Sequence, residues 1–375
     1  MSFSNYPELE FQVALTMAPA IGPVNARKLI DEAGSASRVF LMNRTSLEKI
    51  AGIGPVLSQS IKSPRLLEKA RKELEFLERH NIRALYFRDS DYPARLKECQ
   101  DAPILLYSKG NEGLNKKRVL SVVGTRKASS YGKELCRNIV LELASMFGDL
   151  VIVSGLAFGI DVIAHRAALE AGIPTMAVLG HGLRTLYPNA HRETAKRICR
   201  QGALVTDFHS DMGPERNNFL RRNRIIAGMA DATLVVESGE SGGSLITADM
   251  AFSYERDVLA VPGRATDERS RGCNRLIKVN MAAMVESAED VINHLRWTGE
   301  PAQHRMQGSM QNGFTIQEQK LLELLSPDGG LGPGEISRLS GIPIQEVLSV
   351  LTQMELKRWI RMEPGNLYQS ILKLP

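Results

Sequence analysis

The residue types best suited to bind an anion lie together in one short loop. Its candidate contacts are Gly124, Thr125, Arg126 and Ser129. The apolar run before them, residues 119–123, is typical of a strand buried on both faces, and a helical pattern follows the loop. A strand, tight turn and helix aim backbone N–H groups at an anion, and a guanidinium can hold a phosphate through two hydrogen bonds. A purely structural turn with a solvated Arg126 is equally compatible with this stretch.

A second loop of this kind contains Gly242, Gly243 and Ser244, and a helical pattern begins directly after it. The glycines open the backbone and the serine adds a hydroxyl group, so this loop also suits phosphate. A basic stretch offers Asn223 and Arg224 as further contacts, although some of its charges are expected in solvent or in a structural ion pair.

Enzymatic chemistry is weakly supported by the residues around these loops. Ser154 and Gly155 lack the G-x-S-x-G spacing of a nucleophile elbow, and we keep them as candidate ligand contacts. Asp161 and His165 lie four residues apart on one predicted helix, but no third metal ligand stands out. The full G-x-G-x-x-G fingerprint of dinucleotide binding is also absent. We therefore predict no catalytic residue, no metal and no cofactor.

Six apolar runs alternate with helix-length stretches between about residues 118 and 295, which predicts a doubly wound parallel sheet. The runs are 119–123, 150–155, 175–180, 203–208, 232–238 and 257–263. Ligands of such sheets bind at the carboxyl ends of the strands. The candidate loops follow these runs and are therefore expected to meet at one edge of the sheet, in a central domain of residues 81–296.

A small helical domain is predicted before the sheet, in residues 1–80. The phrases at 18–30 and 50–61 both contain Ile-Gly-Pro followed by an amphipathic run, which predicts two helix-hairpin-helix motifs in a SAM-like domain. Neither hairpin has a Lys or Arg directly beside its glycine. This favours a packing role over direct contact with DNA.

A winged-helix domain is predicted after the sheet, in residues 314–375, from three helical patterns followed by a hairpin. Its third helix is poor in cations, which favours protein contact over reading of the DNA major groove. The preceding residues 297–313 are polar and aperiodic, which predicts a linker.

Composition narrows the functional classes. The net charge of +5 and the pI of about 9.0 permit a polyanionic partner without requiring one. The four cysteines are far apart and form no C-x-x-C pair, which argues against a zinc site or a disulfide framework and fits a reducing cytosol. No stretch approaches the length of a membrane span. We expect a cytoplasmic protein without a membrane partner.

The chain closely resembles the DprA family, also called Smf. The resemblance covers roughly residues 85–290 and is carried, in the family's order, by VVGTRKASSYG, VSGLAFGIDVIAHRAAL, GHGLRTLYPNAH, NFLRRNRIIAG, SGGSLITADMA and AVPGRATDERSRGCNRLI. It implies an extended Rossmann-like fold that binds and protects single-stranded DNA and helps to load the recombinase RecA, in natural transformation or general DNA processing. It also implies homodimers formed through the central domain.

The resemblance assigns the family's DNA-gripping arginine to Arg126. The family often has a lysine directly after Tyr-Pro, but this chain has Asn189 there, which removes one cation from the expected pocket. Arg184 or Arg192 could supply that charge instead.

An enzyme is the alternative interpretation. The central sheet also resembles the nucleotide phosphoribohydrolases of the LOG family, which carry P-G-G-x-G-T followed by a catalytic glutamate. If Gly243 and Ser244 are matched to that Gly-Thr pair, the position of the acid is occupied by Thr247, so hydrolysis is disfavoured. A scaffold with a vestigial pocket is a third alternative.

Overall fold

The computed structural model describes residues 7–111, 114–298, 316–326, 329–357, 359–363 and 365–371. The chain divides into two units, Met1–Ala302 and Gln303–Pro375. The first unit combines an N-terminal helical domain with a nine-stranded sheet. Among the described helices, none is long and apolar enough to cross a membrane.

The helical domain contains both hairpins that the sequence predicts. Its helices are α1 (Pro7–Met17), α2 (Pro23–Ala33), α3 (Ala36–Leu41), α4 (Arg44–Glu48), α5 (Pro55–Ile61) and α6 (Arg65–Arg79). α2 and α5 each begin with a proline directly after an extended glycine, Gly22 or Gly54. Proline suits the first helical position because its missing N–H group would have no partner there.

The sheet of the central domain contains all six predicted parallel strands. Its strands are β1 (Arg83–Tyr86), β2 (Leu105–Gly110), β3 (Arg118–Val123), β4 (Leu150–Ser154), β5 (Thr175–Val178), β6 (Ala203–Thr206), β7 (Ala232–Val235), β8 (Asp257–Ala260) and β9 (Ala283–Met284). Their order in space is β1-β2-β6-β5-β4-β3-β7-β8-β9. The segment before β3 extends the sheet with the antiparallel strands β1 and β2.

Helices cover both faces of this sheet. They are α7 (Ala94–Lys97), α8 (Ser130–Met146), α9 (Ile160–Glu170), α10 (Arg192–Gln201), α11 (Arg216–Gly228), α12 (Gly243–Ser253), α13 (Arg271–Lys278) and α14 (Ala288–Leu295). Successive side chains of β3 point to opposite faces, as in any strand. Leu120 and Val122 belong to the core with α8 and α9, whereas Val119 and Val123 belong to the core with α11 and α12.

The helical domain is joined to the sheet by a shared apolar core and by buried polar contacts. Glu73 of α6 is 4% exposed, and its carboxylate accepts hydrogen bonds from Ser210 N at 2.8 Å and Ser210 Oγ at 2.6 Å. Ser210 lies in the loop that leads to α11. The helical domain therefore helps to fix a loop of the sheet domain.

The second unit has the predicted winged-helix arrangement. It consists of α15 (Ile316–Leu324), α16 (Pro333–Ser340), α17 (Ile344–Leu356), β10 (Ile360–Glu363) and β11 (Leu367–Ser370). The two strands pair antiparallel, and the core of the unit includes Leu321, Ile336 and Leu351. The third helix, α17, exposes Ile344 and Leu348.

The first two residues of the predicted linker belong instead to the sheet domain. The ring of Trp297 packs edge-on against Phe147 with centroids 5.8 Å apart. The guanidinium of Arg118 donates a hydrogen bond of 2.5 Å to the carbonyl oxygen of Thr298. These contacts give residues 297 and 298 a packed position, which corrects the start of the linker. Residues 299–313 lie outside the described residues.

Candidate nucleic-acid interface

A cavity of about 790 Å³ opens at the carboxyl ends of β3, β4 and β7. Since β4 and β7 flank β3 on opposite sides, the cavity occupies the topological switch point of the sheet. Both candidate glycine-rich loops and the start of α11 line it. Four cations and one carboxylate contribute to the lining, which makes it electropositive. These residues are Arg126, Lys127, Arg216, Arg222 and Asp161.

The loop that carries Arg126 is held tightly by its neighbours. A Cβ atom on Gly124 would lie 2.5 Å from the side chain of Ile160 and 3.0 Å from the carbonyl oxygen of Glu237, so only glycine fits there. The N–H of Thr125 donates to that same carbonyl at 2.6 Å. The Arg126 side chain itself is exposed. A fixed backbone therefore presents an exposed guanidinium at the cavity.

Ser129 shapes this loop but does not line the cavity. Its Oγ accepts a hydrogen bond of 3.0 Å from Gly132 N and so caps α8. The same hydroxyl donates to the carboxylate of Glu237 at 2.5 Å. Ser129 is therefore placed to position the loop.

The second loop forms another wall of the cavity. Gly242, Gly243 and Ser244 all line it, and α12 begins at Gly243. Apart from Gly243 itself, its chain neighbours and the backbone of its own helix, no atom of the described residues lies within 4 Å of the point where a Cβ on Gly243 would be, so the backbone there is accessible. Asn223 also lines the cavity and donates to Gly243 O at 3.4 Å. The first N–H groups of a helix have no intrahelical partner, so this wall suits a phosphate.

The cavity also has a buried polar floor. Arg222 is 4% exposed and donates to the carbonyl oxygens of Gly155, at 2.9 Å, and Val178. Burial lowers the pKa of Arg222 to about 10, and nearby Asp161 opposes that shift. Burial raises the pKa of Asp161, whose carboxylate accepts the N–H groups of Gly155 and Ala157 at 3.2 and 3.3 Å. Arg222 remains charged at neutral pH and adds positive potential from below.

Ser154 lies beneath this floor rather than in the cavity. It is fully buried, and its hydroxyl donates to the carbonyl oxygen of Val122 at 2.6 Å. A bound strand cannot reach this hydroxyl, which corrects the prediction of a direct contact. Gly155 contributes through its backbone, which holds Arg222 and Asp161.

Two further residues line the cavity but were not predicted as ligand contacts from the sequence: Arg216 and Phe219. Arg216 is exposed at the start of α11 and Phe219 follows one turn later, so both occupy one face of the helix. The Phe219 ring centroid lies 5.6 Å from that of Tyr187 and 5.9 Å from the guanidinium carbon of Arg126. The R-x-x-F spacing at the start of a predicted helix is the sequence signal that could have identified this pair.

Arg224 lies away from the cavity, and the prediction that it contacts DNA is wrong. Its guanidinium forms an ion pair of 2.5 Å with Asp207 and also donates to the carbonyl oxygen of Asp101. The Arg224 side chain is only 8% exposed. This is the structural ion pair that the sequence predicts for one residue of the basic stretch.

The residues considered as substitutes for the missing lysine lie in different places. Arg184 forms an ion pair of 2.8 Å with Asp211, and its guanidinium carbon lies 4.6 Å from the ring centroid of Phe76 in the helical domain. Asn189 and Arg192 are both exposed and follow Tyr187 in the chain. Arg184 is therefore engaged in these contacts, whereas Arg192 forms no ion pair among the described residues.

The described part of the chain contains no group of three His, Cys, Asp or Glu side chains arranged to hold a metal ion. Thr247, which would take the position of the hydrolase acid if Gly243 and Ser244 were matched to the LOG motif, is 2% exposed and lines the cavity. The lining of the cavity includes guanidinium groups, backbone N–H groups and aromatic rings. These groups bind phosphates and bases.

Known proteins are similar to this chain in both sequence and fold. Residues 83–296 match the family of DNA recombination-mediator protein A, and residues 313–366 match the DprA winged helix domain. Protein Smf of Escherichia coli strain K12 is 34% identical over 314 residues, which cover 80% of this chain and 82% of that protein.

Two solved structures support the same relationship. DNA processing protein A of Streptococcus pneumoniae matches with a TM-score of 0.65 and 30% identity, over 77% of this chain and 99% of that one. DNA processing protein A of Helicobacter pylori, described for its unique single-stranded DNA binding mode, matches with a TM-score of 0.52 and 26% identity, over 57% of this chain and 95% of that one. Because the family match spans more than half of the sequence and includes every residue that lines the cavity, the chain belongs to the DprA family of DNA recombination mediators.

Proposed function

We propose that the cavity binds single-stranded DNA, which the protein protects and hands to a RecA-type recombinase. The observation that carries the proposal is the exposed guanidinium of Arg126, which lies over Phe219 in a cavity with an excess of cations. Guanidinium groups bind phosphates, and unpaired bases stack on aromatic rings. The single-stranded DNA binding described for the Helicobacter pylori relative supports this assignment.

The composition of the cavity favours a single strand over a duplex. Phe219 and Tyr187 line a concave site, and stacking on them requires bases whose faces are free. In a duplex those faces are covered by neighbouring base pairs. Few side chains in the cavity are suited to reading base edges, so the proposed binding has little sequence preference.

The proposed role is binding rather than catalysis. Ser154 and Asp161 are committed to hydrogen bonds with the backbone, and a LOG-type hydrolase would need an acid in place of Thr247. Incubation with nucleoside monophosphates tests the alternative. Release of free base that depends on this cavity would contradict a binding role.

Two protein partners belong to the proposal: a second copy of the chain and RecA. β9 lies at the end of the sheet. Met284 in this strand is 55% exposed, and Val279, which precedes the strand, is 60% exposed. This apolar surface supports a homodimer formed through the central domain. The RecA partner rests on the family resemblance, and the proposed cytoplasmic location rests on the four separate cysteines.

The test is a salt series of single-strand binding with Arg126→Ala, Arg216→Ala and the control Arg79→Ala. Arg79 is exposed at the end of α6, away from the cavity. Loss of one phosphate contact should make the slope of log K against log salt shallower by about 0.7. We expect this for both cavity variants and no change for the control. Unchanged affinity and slope in folded Arg126→Ala would overturn the proposal.

A further inference from the structure

The helix α10 has an unusually basic solvent face. Its four cations are all exposed, whereas Thr194, Ala195 and Ile198 form its buried side. The cations are Arg192, Lys196, Arg197 and Arg200. α10 contains one acid, Glu193. We call these four cations the α10 strip.

Most of the positive charge on the α10 strip is not neutralised. Lys196 pairs with Glu193 at 2.8 Å. Arg192, Arg197 and Arg200 have no ion-pair partner among the described residues. Like charges spaced three or four residues apart on a helix repel one another and destabilise it. Packing of the fold does not require this arrangement, whereas a bound anion would relieve it.

The α10 strip begins where the cavity ends. A small pocket beside the cavity is lined by Arg126, Phe158, Tyr187 and Phe219, among others. Phe158 and Tyr187 are 46% and 45% exposed. The Phe158 ring centroid lies 4.8 Å from that of His191, the residue directly before α10. Exposed aromatic surface therefore connects the cavity to the first cation of the strip.

We propose that the α10 strip holds the backbone of single-stranded DNA that leaves the cavity past Phe158 and Tyr187. This inference rests on the proposed function of the cavity and extends it to a longer binding track. A helix of ten residues is about 15 Å long, so the strip can contact more than one phosphate. The aromatic residues serve as stacking surfaces for the bases between the two sites.

A nucleic-acid strand fits this face better than a protein or a membrane. α10 exposes no large hydrophobic side chain, although interface cores and membrane-binding helices both depend on such side chains. A polyanion needs only accessible cations, which the strip supplies. If the occupant were instead an acidic protein segment, the variants described below would bind that segment more weakly but would bind DNA as the wild type does.

The experiment compares the full-length wild type with Arg197→Gln/Arg200→Gln, using poly-dT oligonucleotides of about 4 to about 16 nucleotides, a typical range of single-strand site sizes. The shortest oligonucleotide should bind both proteins equally, because it fills only the cavity. The longest should bind the variant about tenfold more weakly at low salt. Its salt slope should be shallower by about 1.4, or about 0.7 for each lost contact.

The matched control is Arg65→Gln/Arg79→Gln, which removes the same charge from exposed positions of α6. It should retain wild-type binding at every length. Equal binding of the α10 variant and the wild type at all lengths would overturn the inference. An equal loss in both double variants would also overturn it, since net charge alone would then explain the effect. Failure of the cavity proposal is distinguishable, because folded Arg126→Ala would then retain binding to the shortest oligonucleotide.

Discussion

Glu237 holds Ser129 through two hydrogen bonds, from Ser129 Oγ at 2.5 Å and from Ser129 N at 2.9 Å. Its backbone carbonyl also accepts the N–H of Thr125 at 2.6 Å. One residue just after β7 therefore fixes both ends of the loop that presents Arg126. This contact also places a buried carboxylate close to a site that we propose binds phosphates. Glu237 therefore favours DNA binding by positioning the loop and opposes it by repelling the phosphates.

Glu237→Gln separates these two effects. The amide can accept one of the two Ser129 bonds but not both, and hydrogen bonds to a charged group contribute about 1.5–3 kcal/mol. We expect the loosened loop to weaken single-strand binding about three- to tenfold, measured by titration at fixed salt. The control Glu240→Gln removes an exposed acid from the adjacent loop and should leave affinity unchanged or slightly higher. Tighter binding by Glu237→Gln would show that repulsion outweighs positioning.

Phe219→Leu tests base stacking in the cavity. Leucine keeps most of the apolar bulk but removes the ring, and base stacking on an aromatic side chain contributes about 1–3 kcal/mol per base. We expect a comparable loss of affinity for homopolymers of each base, measured by fluorescence titration. Phe252→Leu, at an exposed position of α12, should bind as the wild type does. A loss confined to one base would argue for base-specific recognition instead.

Glu73→Ala tests the coupling between the helical domain and the DNA site. Without the carboxylate, the N–H and hydroxyl of buried Ser210 lose their acceptor, which costs about 1–3 kcal/mol for each unsatisfied group. We expect a lower free energy of unfolding in urea and weaker single-strand binding, because the Ser210 loop leads to Arg216. Glu75→Ala, an exposed change on the same helix, should alter neither. Lower stability with unchanged binding would limit Glu73 to a packing role.

His165 should make the protein less stable in mild acid. Burial, together with nearby Arg222 and His191, lowers the pKa of His165 to about 3, whereas an unfolded histidine has a pKa of about 6.5. Between these values the unfolded chain binds a proton that the folded chain does not. The free energy of unfolding therefore falls as pH decreases below about 6.5, by at most about 1.4 kcal/mol per pH unit for this group.

The measurement is urea unfolding of the wild type and His165→Gln between pH 7 and pH 5. The variant should show a shallower decline with pH, even if it is less stable throughout. Burial also lowers the pKa of His181 and of His209, so part of the decline should remain. The exposed control His80→Gln should follow the wild type. Parallel declines for His165→Gln and the wild type would contradict this assignment.

The sheet was predictable from the sequence because β3 to β8 are apolar runs of strand length separated by helical patterns. The Arg126 and Gly243 loops were predictable for a related reason: glycines and polar residues directly after a buried strand mark the carboxyl edge of a sheet. Local sequence determines these features. The cavity between β3, β4 and β7 follows from the topology of the sheet.

Side-chain partners distant in sequence could not be predicted in the same way. Arg222 and Arg224 are two residues apart in one basic stretch, yet Arg222 lines the cavity and Arg224 pairs with Asp207. On a helix, residues two apart face different directions, so their roles depend on what packs against each face. Likewise, the contact of Glu73 with Ser210 joins residues that are 137 positions apart, and no local pattern indicates it.

The last prediction concerns where the sheet domain ends. A chain shortened to end at Thr298 should retain the fold and the Arg126-dependent binding of single strands, because the core of the first unit, as far as its residues are described, ends at Trp297. A chain that ends at Leu295 should be less stable by about 1–3 kcal/mol. It loses the Trp297 ring that packs on Phe147, and both the aromatic pair and the buried apolar area contribute to that free energy. It also loses the carbonyl group of Thr298, which accepts a hydrogen bond from Arg118.

Thermal melts of the two shortened chains, with single-strand titration at one fixed salt, provide the measurement. The control for the shorter chain is Trp297→Phe in the chain that ends at Thr298, which keeps an aromatic ring against Phe147 and should recover most of the difference in melting temperature. Equal stability of both chains would show that Trp297 does not contribute to the sheet domain. If the chain ending at Thr298 is folded but no longer binds single strands, the winged-helix unit holds a principal DNA site, and the cavity alone is insufficient.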